Sequence, residues 1–230
     1  MKNRILVLDT ETCNLVKSDK VIPGNNITYD IGFFVVEPAT GSIVKKYSYV
    51  VSEIFFGEVK RLKSAYYADK LPQYCKDIAD NKRIVKSFFN IMNEIYHLIK
   101  TENIIAICAH NARFDIDALN TTLRHLTGLD YVTALPDIEI WDSMKMWNAC
   151  KPKQYDNFCE EHGLMTKHTP PRSRMTAEAI YRFLIDDNTF EESHTAMEDV
   201  AIETEIILAC YKSHKPFAKE RILYNKRERA

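Results

Sequence analysis

The chain has no run of about 18 apolar residues, which excludes a membrane-spanning helix of ordinary length. It has no CxxC pair: its six cysteines, at 13, 75, 108, 150, 159 and 210, are scattered. That spacing suits reduced thiols in a cytoplasmic protein better than a disulfide framework. No basic n-region precedes the apolar run Ile5-Leu6-Val7-Leu8, so no signal peptide is expected. There is no internal repeat and no low-complexity segment. There is also no excess of charge of one sign: 31 Lys and Arg face 32 Asp and Glu, for a net −1. Bulk charge therefore gives little support to a polyanion-binding role. Its distribution is uneven, however. From residue 212 to the end, seven Lys or Arg stand against two Glu, a net +5 that leaves −6 on the rest.

What is present suits one compact α/β domain, with 46% hydrophobic residues in a 230-residue chain. Residues 5–9 read as a central strand, apolar on both faces. Residues 29–36 and Ser42–Val51 read as two more strands, joined by the turn chemistry of Glu37-Pro38-Ala39-Thr40-Gly41. Residues 81–100 carry apolar side chains at helical spacing from Ile84 to Ile99. Ile104–Ala109 reads as a buried strand, 114–126 as a helix stopped by Gly128, and 138–141 as a fifth strand. A last helix starts at Thr195, where Thr195 and Glu198 have capping-box spacing and Met197, Ala201, Thr204, Leu208 and Tyr211 make the expected inward stripe. Residues 17–26 and 166–174 are the expected loops. The order predicts a mixed sheet of about five strands with helices on its faces. The expected division is a domain over 1–211 and a basic tail over 212–230.

Three short fragments carry chemistry. Asp9 and Glu11 are two apart at the end of an apolar strand, so both carboxylates point the same way. Like charges on one face repel unless a cation sits between them, and open α/β sheets place ligands at such strand ends. Asp115 opens a helix after the second apolar strand, with Asn111 and Phe114 beside it. An acidic first-turn residue is ordinary by itself. Asp199 lies one turn into the last helix, about 100 degrees round from Glu198. His194 precedes that helix in the entry loop, a place from which an imidazole can take a proton from a bound water without ligating a metal.

Together these fragments resemble the exonuclease motifs of DnaQ-like, DEDDh-type 3'→5' exonucleases. Leu8-Asp9-Thr10-Glu11-Thr12 is similar to the first motif. Asn111-Ala112-Arg113-Phe114-Asp115 is similar to the second, and His194-x-Ala196-x-x-Asp199 to the third. Segments 63–74 and 175–183 also look like standalone bacteriophage exonucleases of this type. The resemblance spans residues 5 to about 211. It implies an RNase H-like fold, with Asp9, Glu11, Asp115 and Asp199 holding two Mg²⁺ or Mn²⁺ ions and His194 as general base. It places Thr10, Thr12, Leu15, Asn111 and Phe114 at the substrate, with Leu15 wedged against the last base. Asn14 stands where glycine is frequent; asparagine tolerates the left-handed conformation that a turn there needs. The implied substrate is a single-stranded or frayed 3' DNA end, degraded to 5'-mononucleotides. RNA is the alternative substrate, and a non-catalytic binding or scaffold module is a third reading. A proofreading role would need a polymerase or other replication protein in trans.

Three other clusters combine chemistry-bearing residue types. Cys150, Cys159, His162 and His168 match no standard zinc spacing. Tyr66, Tyr67, Lys70, Gln73, Tyr74 and Lys76 interleave aromatic and basic groups, which suits either base stacking or a half-buried helix. Arg172 and Arg174 lie before the helix leading to His194, either touching a substrate backbone or in a solvated loop.

Overall fold

A computed structural model describes residues 2–17, 20–63 and 65–213; for residues 15–17 and 20–24 it describes the backbone alone. Residues 214–230, most of the expected basic tail, lie outside the described residues. The elements in chain order are β1 (Arg4–Lys17), β2 (Lys20–Glu37), β3 (Ser42–Val51), α1 (Ser52–Gly57) and α2 (Val59–Leu62). After a single 3₁₀ turn at Ala68–Lys70 come α3 (Leu71–Ala79), β4 (Ile84–Lys86), α4 (Phe88–Thr101), β5 (Ile104–Ala109) and α5 (Arg113–Thr127). The chain continues with β6 (Glu139–Asp142), α6 (Ser143–Cys150), α7 (Lys153–Glu161), α8 (Ala177–Ile185) and α9 (Ala196–Lys212). The strands form one sheet in the order β4-β3-β2-β1-β5-β6. β1, β2 and β3 are antiparallel, while β5, β6 and β4 join parallel to their neighbours.

Alternation along β1 sorts the two cores. Leu6 and Leu8 pack on one face with Ile31, Phe33, Val35 and the helices α4 and α5. Ile5 and Val7 pack on the other with Phe34, Val36 and residues of α6 to α9. Both faces are covered, which is why the strand reads as a continuous apolar run rather than as an alternating one.

The sheet has six strands where five were expected. The extra one is β4, cut from the predicted helix 81–100. Asn81 has φ 58°, and Ile84 to Lys86 pair with Tyr49 to Val51 at the sheet edge. The helix starts only at Phe88, where the Ser87 hydroxyl accepts the Asn90 N–H at 3.3 Å. Ile84-Val85 fits either period, and edge pairing decides because it satisfies backbone groups that a helix would otherwise have to satisfy. β1 and β2 also run much further than 5–9 and 29–36. The expected loop 17–26 is mostly the end of a long hairpin, and Asn14 pairs with Asn26 within it instead of occupying a turn. A register shift between Glu11 and Thr12 bends the strand there.

The expected stripe of α9 is also corrected. Met197 is 38% exposed and Ala201 is exposed, whereas Val200, Ile206, Ile207 and Cys210 are fully buried. α9 lies between the sheet and α6 and α8, and only a narrow stripe with Glu198, Ala201, Glu205 and Lys212 stays exposed, so most of its circumference is buried.

Candidate active site

Asp9 continues the Ile5–Val7 face of β1, so it and Glu11 face α9. Across the hairpin Asp9 stands opposite Gly32, and Glu11 opposite Asp30. Gly32 lets α9 begin against the sheet. A Cβ there would meet the Ala196 carbonyl oxygen at 2.4 Å and the Met197 nitrogen at 2.9 Å. No side chain fits at that distance, and Ala196 is itself wholly buried. The small residues at 32 and 196 thus bring the first turn of α9, with Asp199, onto the carboxylates of β1. Carboxylate oxygens of Asp9, Glu11 and Asp199 lie within 4.8 Å of one another.

Thr10 points to the opposite face, where α5 packs. Its backbone N–H and its hydroxyl both donate to Asp115 Oδ1, at 3.1 and 2.8 Å. Thr10 is 5% exposed and thereby holds Asp115 in place. Asn111 has φ 57° and its carbonyl accepts the Phe114 N–H at 2.9 Å, making the sharp entry into α5. Phe114 is 42% exposed, and Thr12 is half-buried. The side chain of Leu15 lies outside the described residues.

Asp30 ties the helix start down from β2. One of its oxygens accepts the Tyr74 hydroxyl at 2.6 Å, Arg83 at 3.4 Å and the Ala196 N–H at 3.4 Å. Tyr74 is therefore a buried anchor, not a stacking platform. The expected cap at Thr195 takes another form. Its hydroxyl donates to the Glu198 carboxylate at 2.6 Å, Ser193 donates to the same carboxylate, and the Thr195 side chain itself caps no helix N–H.

His194 has φ 54°, and its backbone N–H donates to Asp199. Its ring stacks on Tyr67, with centroids 4.0 Å apart and planes 12° apart. The ring forms a second trio with the carboxylates of Glu178 and Glu192. Burial lowers the His194 pKa, so the imidazole is neutral at pH 7.

The carboxylates carry the opposite shift. Burial raises Glu11 to about 9, and Asp199, Asp30 and Asp115 add to it. Burial also raises Asp199 to about 8, with Glu192 and Glu198 adding. Asp115 reaches about 7, because burial outweighs the Thr10 hydrogen bonds that lower it. Asp9 is held well above the carboxylate range by burial, then by Glu203, Asp115, Asp199 and Glu11. Asp199 Oδ1 and Glu203 Oε2 are buried and accept no hydrogen bond from the described residues. Buried unpaired oxygens in a like-charged cluster fit divalent cations, and the all-oxygen set suits Mg²⁺ or Mn²⁺.

Beside them opens a cavity of about 440 Å³, lined by Asp9, Asp199, Glu203, Glu192, His110 and Asn111 among others. Arg174 lines it too, while Arg172 lines an adjoining cavity of about 510 Å³ with Lys145 and Lys151. Met144 and Met175 border both. His110 supports this rim: its ring bonds Ser143 Oγ at 2.9 Å and the Met175 carbonyl at 2.6 Å.

Sequence reading placed Tyr67 in an aromatic–basic cluster without its partner His194, and it missed Glu178, Glu192 and Glu203. Only Glu203 had a legible signal, four residues after Asp199 and so on the same helix face. Cys150, Cys159, His162 and His168 form no metal-binding group among the described residues, where no disulfide links the cysteines either. No described helix is long and apolar enough to cross a membrane.

No protein-family model matches the chain, and no curated protein does. Solved structures do. The nuclease domain of 3'hExo, a DEDDh family member bound to rAMP, matches with TM-score 0.59 and 12% identity over 92% of both chains. A 3'-exonuclease recognising a histone mRNA stem-loop matches with TM-score 0.58 and 12% identity, over 92% of this chain and 64% of that one. The zinc-bound complex of E. coli ExoI with single-stranded DNA matches with TM-score 0.53 and 13% identity, over 95% of this chain and 42% of that one. This chain thus spans under two thirds of the length of the last two. At these identities the likeness is one of fold: the chain has the DnaQ-like, RNase H-like fold of DEDDh exonuclease domains.

Proposed function

We propose that this protein is a metal-dependent 3'→5' exonuclease that shortens single-stranded or frayed DNA ends to 5'-mononucleotides. The observation that carries the reading is the convergence of Asp9, Glu11 and Asp199 within 4.8 Å, from β1 and α9, beside the buried Asp115. Such a group, in a groove of this fold, suits phosphodiester hydrolysis, where developing charge rather than a covalent nucleophile is the main demand.

Asp9, Glu11, Asp115 and Asp199 would hold two Mg²⁺ or Mn²⁺ ions. Bound there, the ions would stabilise charge on the phosphate and lower the pKa of water. The chain's own groups do the rest. Thr10 orients Asp115, and the His194 N–H orients Asp199. The neutral His194 imidazole accepts the proton of the attacking water through a ring nitrogen. Phe114, 42% exposed, offers a face for the terminal base, with Thr12, Asn111 and Leu15 as the other candidates for holding the 3' nucleotide. Arg174 and Arg172 stand where upstream phosphates would pass.

The test is digestion of 3'- and 5'-labelled DNA and RNA oligomers with and without Mg²⁺ or Mn²⁺. Stepwise shortening from the 3' end of DNA, abolished by EDTA, is expected. A 3'-phosphate should slow it strongly. Faster digestion of the RNA oligomers would move the substrate assignment to RNA. Binding without cleavage under every metal condition would leave a scaffold role instead.

A further inference from the structure

Glu203 is one helical turn beyond Asp199 on α9, so the two carboxylates share a helix face. It is 3% exposed and lines the same cavity as Asp9 and Asp199. Its Oε2 is buried and accepts no hydrogen bond from the described residues. The carboxylate takes the backbone N–H of His110, just past the end of β5. Among the described residues Arg174 is the one arginine or lysine lining that cavity; its Nε donates to the Met165 carbonyl at 3.3 Å, and it forms no ion pair with Glu203. A glutamate that merely filled space would be better replaced by leucine or glutamine, since a buried carboxylate without a counter-charge is costly. The orphaned oxygen and the shared cavity supply the reason for a carboxylate there: a cation.

We propose that Glu203 is a fifth carboxylate of the metal site: it stands just outside the 4.8 Å group of Asp9, Glu11 and Asp199 and reaches a divalent cation bound there from the β5 side of the shared cavity. The inference rests on the exonuclease reading above and deepens it. It assigns a residue outside the three sequence motifs to metal binding, and it gives the His110 backbone the task of orienting that ligand.

The experiment is a Mn²⁺ titration of the full chain, reading free Mn²⁺ by electron paramagnetic resonance, on the parent, Glu203→Gln and Glu203→Asp. Glu205→Gln, on the exposed face of the same helix, is the control. Glu203→Gln should weaken Mn²⁺ binding about ten-fold or more, the range seen when a supporting ligand is lost, while Glu205→Gln binds like the parent. Glu203→Asp keeps the charge on a shorter arm and should lie between them. If Glu203→Gln binds Mn²⁺ as tightly as a parent protein that cleaves DNA, the ligand role fails and the exonuclease reading stands. A parent that neither binds Mn²⁺ nor cleaves overturns both. Melting curves report folding. Should Glu203→Gln not fold, Glu203→Asp decides, and parent-like affinity there overturns the proposal.

Discussion

The imidazole of His194 lies flat on the ring of Tyr67, with centroids 4.0 Å apart. The two residues are 127 apart in sequence, and the contact holds the histidine at the mouth of the carboxylate cluster in a backbone conformation with φ 54°. Stacking needs the ring and not the hydroxyl. Tyr67→Phe should therefore keep kcat near the parent value, while Tyr67→Ala lowers it by freeing the imidazole. His194→Ala should lower kcat by roughly 10²–10⁴-fold, the usual worth of a general base, with Mn²⁺ binding little changed. Single-turnover rates and a metal titration on the three variants check this. Lost metal binding in His194→Ala would make the histidine a ligand.

Glu11, Asp199 and Asp115 have folded-state pKa values of about 9, 8 and 7, against ordinary values of 4.5 and 3.8. A raised carboxyl pKa means that the folded state holds protons which the unfolded state has released. Their contribution to stability is complete below pH 4 and is lost as pH rises to between 7 and 9. In EDTA, the melting temperature should fall across that window. Divalent cations should offset the fall and release protons on binding. Calorimetric metal titrations at pH 7 in buffers of different ionisation enthalpy measure that release; none released would contradict the assignment.

Gly32→Ala introduces one methyl group where the Ala196 carbonyl oxygen would be 2.4 Å away. Backbone cannot yield as a side-chain tip can, so α9 must shift. Destabilisation of about 1–3 kcal/mol is expected from overpacking. Asp199 moves with the helix, so activity should fall further than stability at a temperature where the variant is fully folded. Urea melts and rates at that temperature separate the two effects; parent-like values of both would show that α9 does not depend on this approach.

Arg172→Ala and Arg174→Ala should raise KM while leaving kcat near the parent value, because Arg172 lines the adjoining cavity and Arg174 lines the carboxylate cavity without belonging to its acidic group. Each lost phosphate contact should also flatten the salt dependence of binding by about one unit of slope. Oligomer binding measured over a salt series reads this directly, and an unchanged slope in both variants would return them to the role of loop residues.

The motifs around Asp9, Asp115 and Asp199, the apolar central strand and the helix 114–126 were legible in the sequence. Each depends on local periodicity, which a strand or helix buried on a known face must display. Two kinds of feature were not legible. The sixth strand was hidden because Ile84-Val85 fits both periods until Tyr49 and Val50 offer a ladder to pair with. The facing of α9 was hidden because its types mislead: Met197 and Ala201 fall on the exposed face with Glu198 and Glu205, while the acidic Glu203 is buried. In the site, sequence alone placed four carboxylates on strand and helix ends. Only the tertiary structure set Tyr67 on His194, Tyr74 on Asp30 and Glu203 into the cavity with Asp9. Those contacts join residues 44 to 194 positions apart. Their energies come from burial and pairing that exist only once the sheet has closed against its helices.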